Sequence, residues 1–251
     1  MIAIRCAPIK IKADCSSGGN DPCIVLPDVD IQKAAFNVAL GGFFNSGQVC
    51  VATKRAFIHE SIYESFIEAL SGIAGNFKQG NPYEEGVMVG PIQNEMQYNK
   101  LKDFIADSKK FGHKFVAGTK EVAESEGYFI KPTVLDNPPT DSYIFSEEQF
   151  GPILPCQPWS DEEDVIRRAN DTAAGLGATV YGNNKEQTYR IARQLQCGQV
   201  WINSFPKPAP QAHFGGHKQS GVGTENGTAG ILTYANIKSI YLYKTNAVAK
   251  L

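Results

Sequence analysis

The sequence lacks long apolar runs, an excess of charge of either sign, and any clustering of metal-type ligands. Each absence removes a class of function. A membrane-spanning helix needs roughly 20 apolar residues in a row, and no run here approaches that length. Lys and Arg number 24 against 26 Asp and Glu, a formal charge of -2, so the clustered basic surface that a phosphate backbone demands is missing. The pairs Lys109-Lys110 and Arg167-Arg168 fall in helix-like segments and read as solvated faces. No nucleic-acid or membrane partner is expected.

The six cysteines form no Cys-x-x-Cys, and the four histidines make no ligand spacing with them. Gly215 and Gly216 stand between His213 and His217 and disfavour a shared helix face. This usage implies a reducing compartment, with no zinc and no disulfide framework. The N-terminal stretch is too short and too interrupted in apolar run for a signal peptide.

What is present is ordinary globular composition over 251 residues, 42% apolar and 20% charged, enough for one large domain or two small ones. β-rich runs alternate with helical patterns. Residues 23–27, 54–60, 113–118, 128–136, 153–159, 175–182 and 198–203 read as strands. Residues 30–47, 62–77, 94–111 and 185–196 carry helical periodicity. Ser160-Asp161-Glu162-Glu163 has the form of a capping box, with Ser160 at the cap. The alternation predicts an α/β fold, a mainly parallel sheet flanked by helices. Residues 237–245, IKSIYLYKT, alternate apolar and polar and predict a C-terminal edge strand. The proline- and glycine-rich stretch 204–230 is long enough to imply a functional loop.

One segment invites chemistry. FFNSGQVCVATKR, residues 43–55, places Cys50 after a Gly-Gln turn and ahead of Lys54 and Arg55. A free cysteine is ordinarily a small buried hydrophobe, but nearby positive charge favours the thiolate.

Five stretches taken in order, spanning about Gly18 to Tyr243, resemble the aldehyde dehydrogenase superfamily: GGNDPCIVLPDVDI, FFNSGQVCVATKR, SEEQFGPILP, GLGATVYGNN and HFGGHKQSGVGTENG. The resemblance implies that Cys50 is the nucleophile, adding to a carbonyl carbon with its backbone N–H as one oxyanion donor. It implies that Glu148 and Phe150 hold a nicotinamide ribose, and that Lys218 and Ser220 sit in a glycine loop over the site. Asn45 reads as a loop brace. The chain departs from the family pattern at CSSGG, where Ser16 stands on the family's general-base glutamate; a hydroxyl cannot take a proton as a carboxylate does.

The same resemblance implies a half-length relative. Residues 1–18 would be a remnant of the dinucleotide-binding domain, 19–222 the catalytic domain, and 223–251 a C-terminal segment with an oligomerisation strand and tail. With most of the NAD-binding domain absent, the expected activity is non-redox covalent chemistry on a carbonyl or thioester substrate, by hydrolysis, acyl transfer, addition or isomerisation. No cofactor is then expected, and NAD or NADP only if the missing domain is supplied. The alternatives are NAD(P)-dependent aldehyde oxidation with the cofactor half provided elsewhere, or a non-catalytic partner of full-length relatives. The C-terminal strand implies a homodimer or other oligomer. The ending Ala249-Lys250-Leu251 resembles the Ser-Lys-Leu peroxisomal address, with the cytoplasm as the alternative location.

Overall fold

A computed structural model of the chain describes residues 15–16, 18–122 and 127–242. The Ala249-Lys250-Leu251 ending and most of the 1–18 segment lie outside the described residues. Nine strands occur among them: β1 (Cys15–Ser16), β2 (Pro22–Val25), β3 (Arg55–His59), β4 (Lys114–Ala117), β5 (Thr133–Asp136), β6 (Ile153–Trp159), β7 (Gly177–Tyr181), β8 (Gln199–Ile202) and β9 (Gly221–Val222). Seven build one sheet in the order β4-β5-β6-β3-β2-β7-β8, and β1 pairs separately with β9. Only the β4–β5 pair of the large sheet is antiparallel. The mainly parallel sheet with flanking helices is the fold the alternating pattern predicts.

Strand periodicity explains the two layers. Along β2, Cys23 and Val25 face the helices Ile31–Phe43 and Tyr63–Asn76, while Ile24 faces the opposite layer. In β3, Ala56 and Ile58 take the first face and Phe57 the second. The second layer holds helices Glu162–Asn170 and Lys185–Gln194, through Val165, Ile166 and Ile191. Helix Glu95–Lys110 packs Leu101, Phe104 and Ile105 against Leu135 and Ile153. Because both faces are covered, the central strands are buried almost throughout, as parallel sheets require.

Side-chain caps fix the helix starts. Asp30, Asn94, Asp161 and Asn184 each accept from the backbone N–H three residues on. Asp161, rather than Ser160, caps helix Glu162–Asn170: its carboxylate accepts from Asp164 N at 2.7 Å and carries the negative charge that suits a helix N-terminus.

Residues 237–242 do not form the predicted edge strand. Their alternation is real, but no strand among the described residues offers them a ladder, and a strand exists only as a paired element. Ile237, Ile240, Tyr241 and Leu242 are exposed instead. No described helix is long and apolar enough to cross a membrane, and no described group of His, Cys, Asp and Glu could hold a metal ion.

Phe57 is a sensitive probe of the core. It is fully buried, edge-on to Phe145 at 5.5 Å between ring centroids, with the Arg168 guanidinium 5.2 Å from its own. Phe57→Ala should cost about 3–5 kcal/mol in urea unfolding, with the slope against urea unchanged; a loss under about 1 kcal/mol would show that the layer repacks freely.

Candidate active site

Four loops meet along one edge of the sheet. Gly18–Asp21 leads into β2, Cys50–Lys54 into β3, Glu148–Pro152 into β6 and Gly175–Leu176 into β7. Since β2, β3, β6 and β7 run parallel, all four loops lie at the amino ends of their strands. Open α/β sheets more often bind ligands beyond the carboxyl ends.

The loop before Cys50 is built by an unusual turn. The helix predicted over 30–47 stops at Phe43, because Asn45 (φ 52°), Ser46 (φ 58°) and Gly47 (φ 69°) are all left-handed. Two consecutive L-residues in that region are strained, and hydrogen bonds hold them there. Asn45 Nδ2 donates to Gln48 O at 3.1 Å, Ser46 Oγ to Gly90 O at 2.9 Å, and Lys54 Nζ to Gly47 O at 2.8 Å. Asn45 is therefore the brace its motif suggests. Gly47 is required twice, by its φ and because a Cβ there would lie 2.2 Å from Gly151 O. The turn delivers Cys50 half-buried, with its carbonyl accepting from Gly19 N at 3.2 Å.

Glu148 and Phe150 sit on the loop that Gly47 touches. Helix Glu95–Lys110 pins that loop: Gln97 Nε2 donates to Gln149 O at 2.8 Å and Phe150 O at 3.1 Å, and Lys100 Nζ to Glu148 O at 3.0 Å. Phe150 has φ 51° and its ring lies under Lys54 Nζ, 5.0 Å from the centroid. The Glu148 carboxylate fills the space that a Cβ on Gly18 would take, and its Oε1 is buried without a hydrogen-bond partner. A cavity of about 850 Å³ adjoins this cluster, walled by Phe44, Asn45, Gln48, Met96, Gln97 and Phe150 among others. Gln48 lines this cavity and Cys50 does not.

Burial dominates the electrostatics. It pushes the Cys50 thiol up, Asp21 adds to that, and the backbone N–H groups of Val51 and Cys50 together with Lys54 pull it back. The sequence-based expectation that Lys54 and Arg55 make a ready thiolate is thus corrected: desolvation outweighs their charge. Arg55 is spent on carbonyls, donating to Asn20 O at 2.9 Å, Arg168 O at 3.1 Å and Ala169 O at 2.8 Å. Burial lowers Lys54 to about 8 against the pull of Glu148, Asp21 and Cys50. Glu148 is raised by desolvation, with Lys54, Lys100 and the Gly19 N–H opposing. Asp21, fully buried, is held well above the carboxylate range by desolvation, opposed first by the Gly177 N–H and then by Lys54.

The structure therefore brings Cys50, Glu148 and Phe150 around Lys54. Ser16 lies on β1, its backbone paired with Gly221. Ser220 is a buried brace, accepting from Gly175 N at 2.8 Å and donating to Gly18 O at 2.9 Å. Lys218 Nζ donates to Asn170 O and Thr172 O rather than lining the cluster. Gln97 and Lys100 have no motif signal of their own, and Asp21 lies within the GGNDPCIVLPDVDI stretch. The Gly18-Gly19 doublet is the one sequence feature that points to Asp21 and Glu148, since a Cβ at either glycine would collide with those carboxylates.

The sequence matches the Aldehyde dehydrogenase family over residues 6–240. It is 38% identical over 229 residues to aldehyde dehydrogenase LUC3 of Fusarium sp, covering 91% of this chain and 49% of that protein. It is 40% identical over 230 residues to aminoaldehyde dehydrogenase 1, peroxisomal, of Pisum sativum, covering 91% and 46%. Among solved structures, the NAD+ complex of aldehyde dehydrogenase from Bacillus cereus is similar at a TM-score of 0.91 and 36% identity, over 96% of this chain and 49% of that one. The chain spans about half the length of these relatives. The expectation of non-redox, cofactor-independent chemistry draws no support from them.

The raised Cys50 thiol has a kinetic signature. The rate of its alkylation by iodoacetamide should climb with pH through the ordinary thiol range without levelling off there, because thiolate forms only above it. A plateau reached below pH 7, followed by mass spectrometry of the Cys50 peptide, would show instead that the local cations overcome burial.

Proposed function

This chain belongs to the aldehyde dehydrogenase family, and we propose that it carries the nucleophile-bearing half of an NAD(P)-linked aldehyde oxidation. The observation that supports this most is the orphaned, buried Glu148 Oε1 beside the Cys50 turn. A carboxylate oxygen with no donor of its own is suited to a sugar hydroxyl, and the Phe150 ring borders the adjoining cavity. The residues present thus fit the nicotinamide ribose of such a cofactor, with Glu148 and Phe150 as its holders. When bound, the cofactor supplies the two-electron acceptor that oxidation of an aldehyde needs.

The chain's own part begins at Cys50. Its Sγ loses a proton and bonds to the carbonyl carbon, giving a thiohemiacetal whose oxygen takes the Cys50 backbone N–H. The left-handed turn fixes where that N–H points, so the donor is set before substrate arrives. Cys50 then holds the acyl group until water releases it as acid. If Ser16 stands where relatives hold a carboxylate base, a carboxylate elsewhere must activate that water.

Acid and reduced nicotinamide should form one for one from a panel of small aldehydes, and both should vanish in Cys50→Ala. Glu148→Gln should raise the KM for the nucleotide roughly tenfold. Aldehydes that neither shield Cys50 from iodoacetamide nor become oxidised would overturn this reading. Peroxisomal location belongs to the same proposal, supported by the sequence Ala249-Lys250-Leu251 and by the printed name of the Pisum sativum relative. A fluorescent fusion ending in that tripeptide should be punctate, and diffuse once Leu251 is deleted.

A further inference from the structure

We infer that Lys54 is the positioning residue for Cys50, tying the nucleophile turn to the Glu148–Phe150 loop and supplying the positive charge against which the thiol gives up its proton. The inference rests on the reading of Cys50 as the nucleophile. Lys54 is only 1% exposed, an extreme burial for a side chain almost never buried unless paired. Its backbone N–H donates to Asp21 O at 3.0 Å, and its Nζ to Gly47 O at 2.8 Å. The same Nζ stands over the Phe150 ring. Gly47 lies against Gly151, and Phe150, the residue before Gly151, is left-handed as Gly47 is. One ammonium thus holds both at once.

Gly47 O takes one of the three ammonium protons, and the anions nearby act on the ammonium through charge rather than through a hydrogen bond. The titratable groups facing Lys54 come from every packed element: Asp21 before β2, Cys50 before β3, Glu148 before β6, and Lys100 from helix Glu95–Lys110. Arg55 cannot take the role, because its guanidinium is committed to three carbonyls. A merely structural lysine would need only the Gly47 bond. A buried cation among Cys50, Asp21 and Glu148 also acts on charge formed at Sγ.

Alkylation isolates this charge without aldehyde or cofactor. Cys50 Sγ releases its proton to water and attacks the CH₂ of iodoacetamide, and iodide departs. Lys54→Met keeps the side chain's length and removes its charge, whereas Lys54→Arg keeps the charge. In Lys54→Met the alkylation rate near neutral pH should fall roughly tenfold. Because burial sets Lys54 near 8, its charge is present below that pH and fades above it. The wild-type and Lys54→Met rates should therefore differ most below pH 8 and approach each other above it, whereas Lys54→Arg should keep the wild-type rate near neutral pH and hold its charge above pH 8. An unchanged neutral-pH rate in folded Lys54→Met would overturn the inference while leaving Cys50 the nucleophile. A Cys50 that no pH renders reactive would overturn the nucleophile reading itself. Should Lys54→Met fail to fold by circular dichroism, Glu148→Gln decides. Glu148 favours the charged form of Lys54, so its removal should make the lysine's charge fade at lower pH and slow alkylation near neutral pH, and an unchanged rate would count against the role.

Discussion

A buried ammonium survives only where acceptors are fixed in place before it arrives, since its desolvation costs several kcal/mol. Lys54 meets that condition through the Gly47 carbonyl and the Phe150 ring. Those contacts in turn depend on a turn that places two L-residues and a glycine in left-handed geometry. The constraint is circular in a useful sense. The turn is strained unless the lysine holds it, and the lysine is intolerable unless the turn supplies its acceptor. Gly47 against Gly151 closes the arrangement, because no side chain fits between the two backbones.

This explains why the site lies at the amino ends of the parallel strands. Beyond a strand's carboxyl end the chain leaves the sheet for a helix, and at the amino end it returns from one. Here the returning segment 44–54 is held by the Ser46 bond to Gly90, 147–152 by hydrogen bonds from helix Glu95–Lys110, and 175–176 by Ser220. The rigid β2, β3, β6 and β7 register beneath them converts those braces into fixed positions for Cys50 and Glu148. Side chains on short loops anchored at both ends are positioned nearly as well as side chains on the strands themselves.

Much of this was legible in the sequence, and the reasons differ by feature. The parallel strands announce themselves as short apolar runs, and Cys50, Glu148 and Phe150 sit in motif segments that survive intact. The helix end at Phe43 was hidden because Asn45 and Ser46 are unremarkable residues whose left-handed geometry comes from the Ser46 bond to Gly90, 44 positions away. The role of Gln97 and Lys100 was equally hidden, since both look like ordinary polar residues of an amphipathic helix. The 237–245 strand failed for the opposite reason. Its alternation is a local property, whereas pairing belongs to whatever lies beside it. Lys54 was visible as charge, but its burial was not, and burial reverses the simple inference from charge to thiolate.

That reversal bears on how such a cysteine works. A thiol held protonated at rest exposes little thiolate to oxidants, which attack the thiolate form. A thiol of higher pKa is also intrinsically the stronger nucleophile once its proton is gone. What the site then needs is a local acceptor for the proton and a local charge to steady the anion. Glu148, raised by desolvation, and Lys54, lowered to about 8, shift in opposite directions. Burial drives both shifts by disfavouring each charged form. One low-dielectric pocket therefore brings the carboxylate and the ammonium closer in proton affinity while it holds the thiol protonated. Below pH 8 the charge on Lys54, not a preformed thiolate, then favours loss of the Cys50 proton.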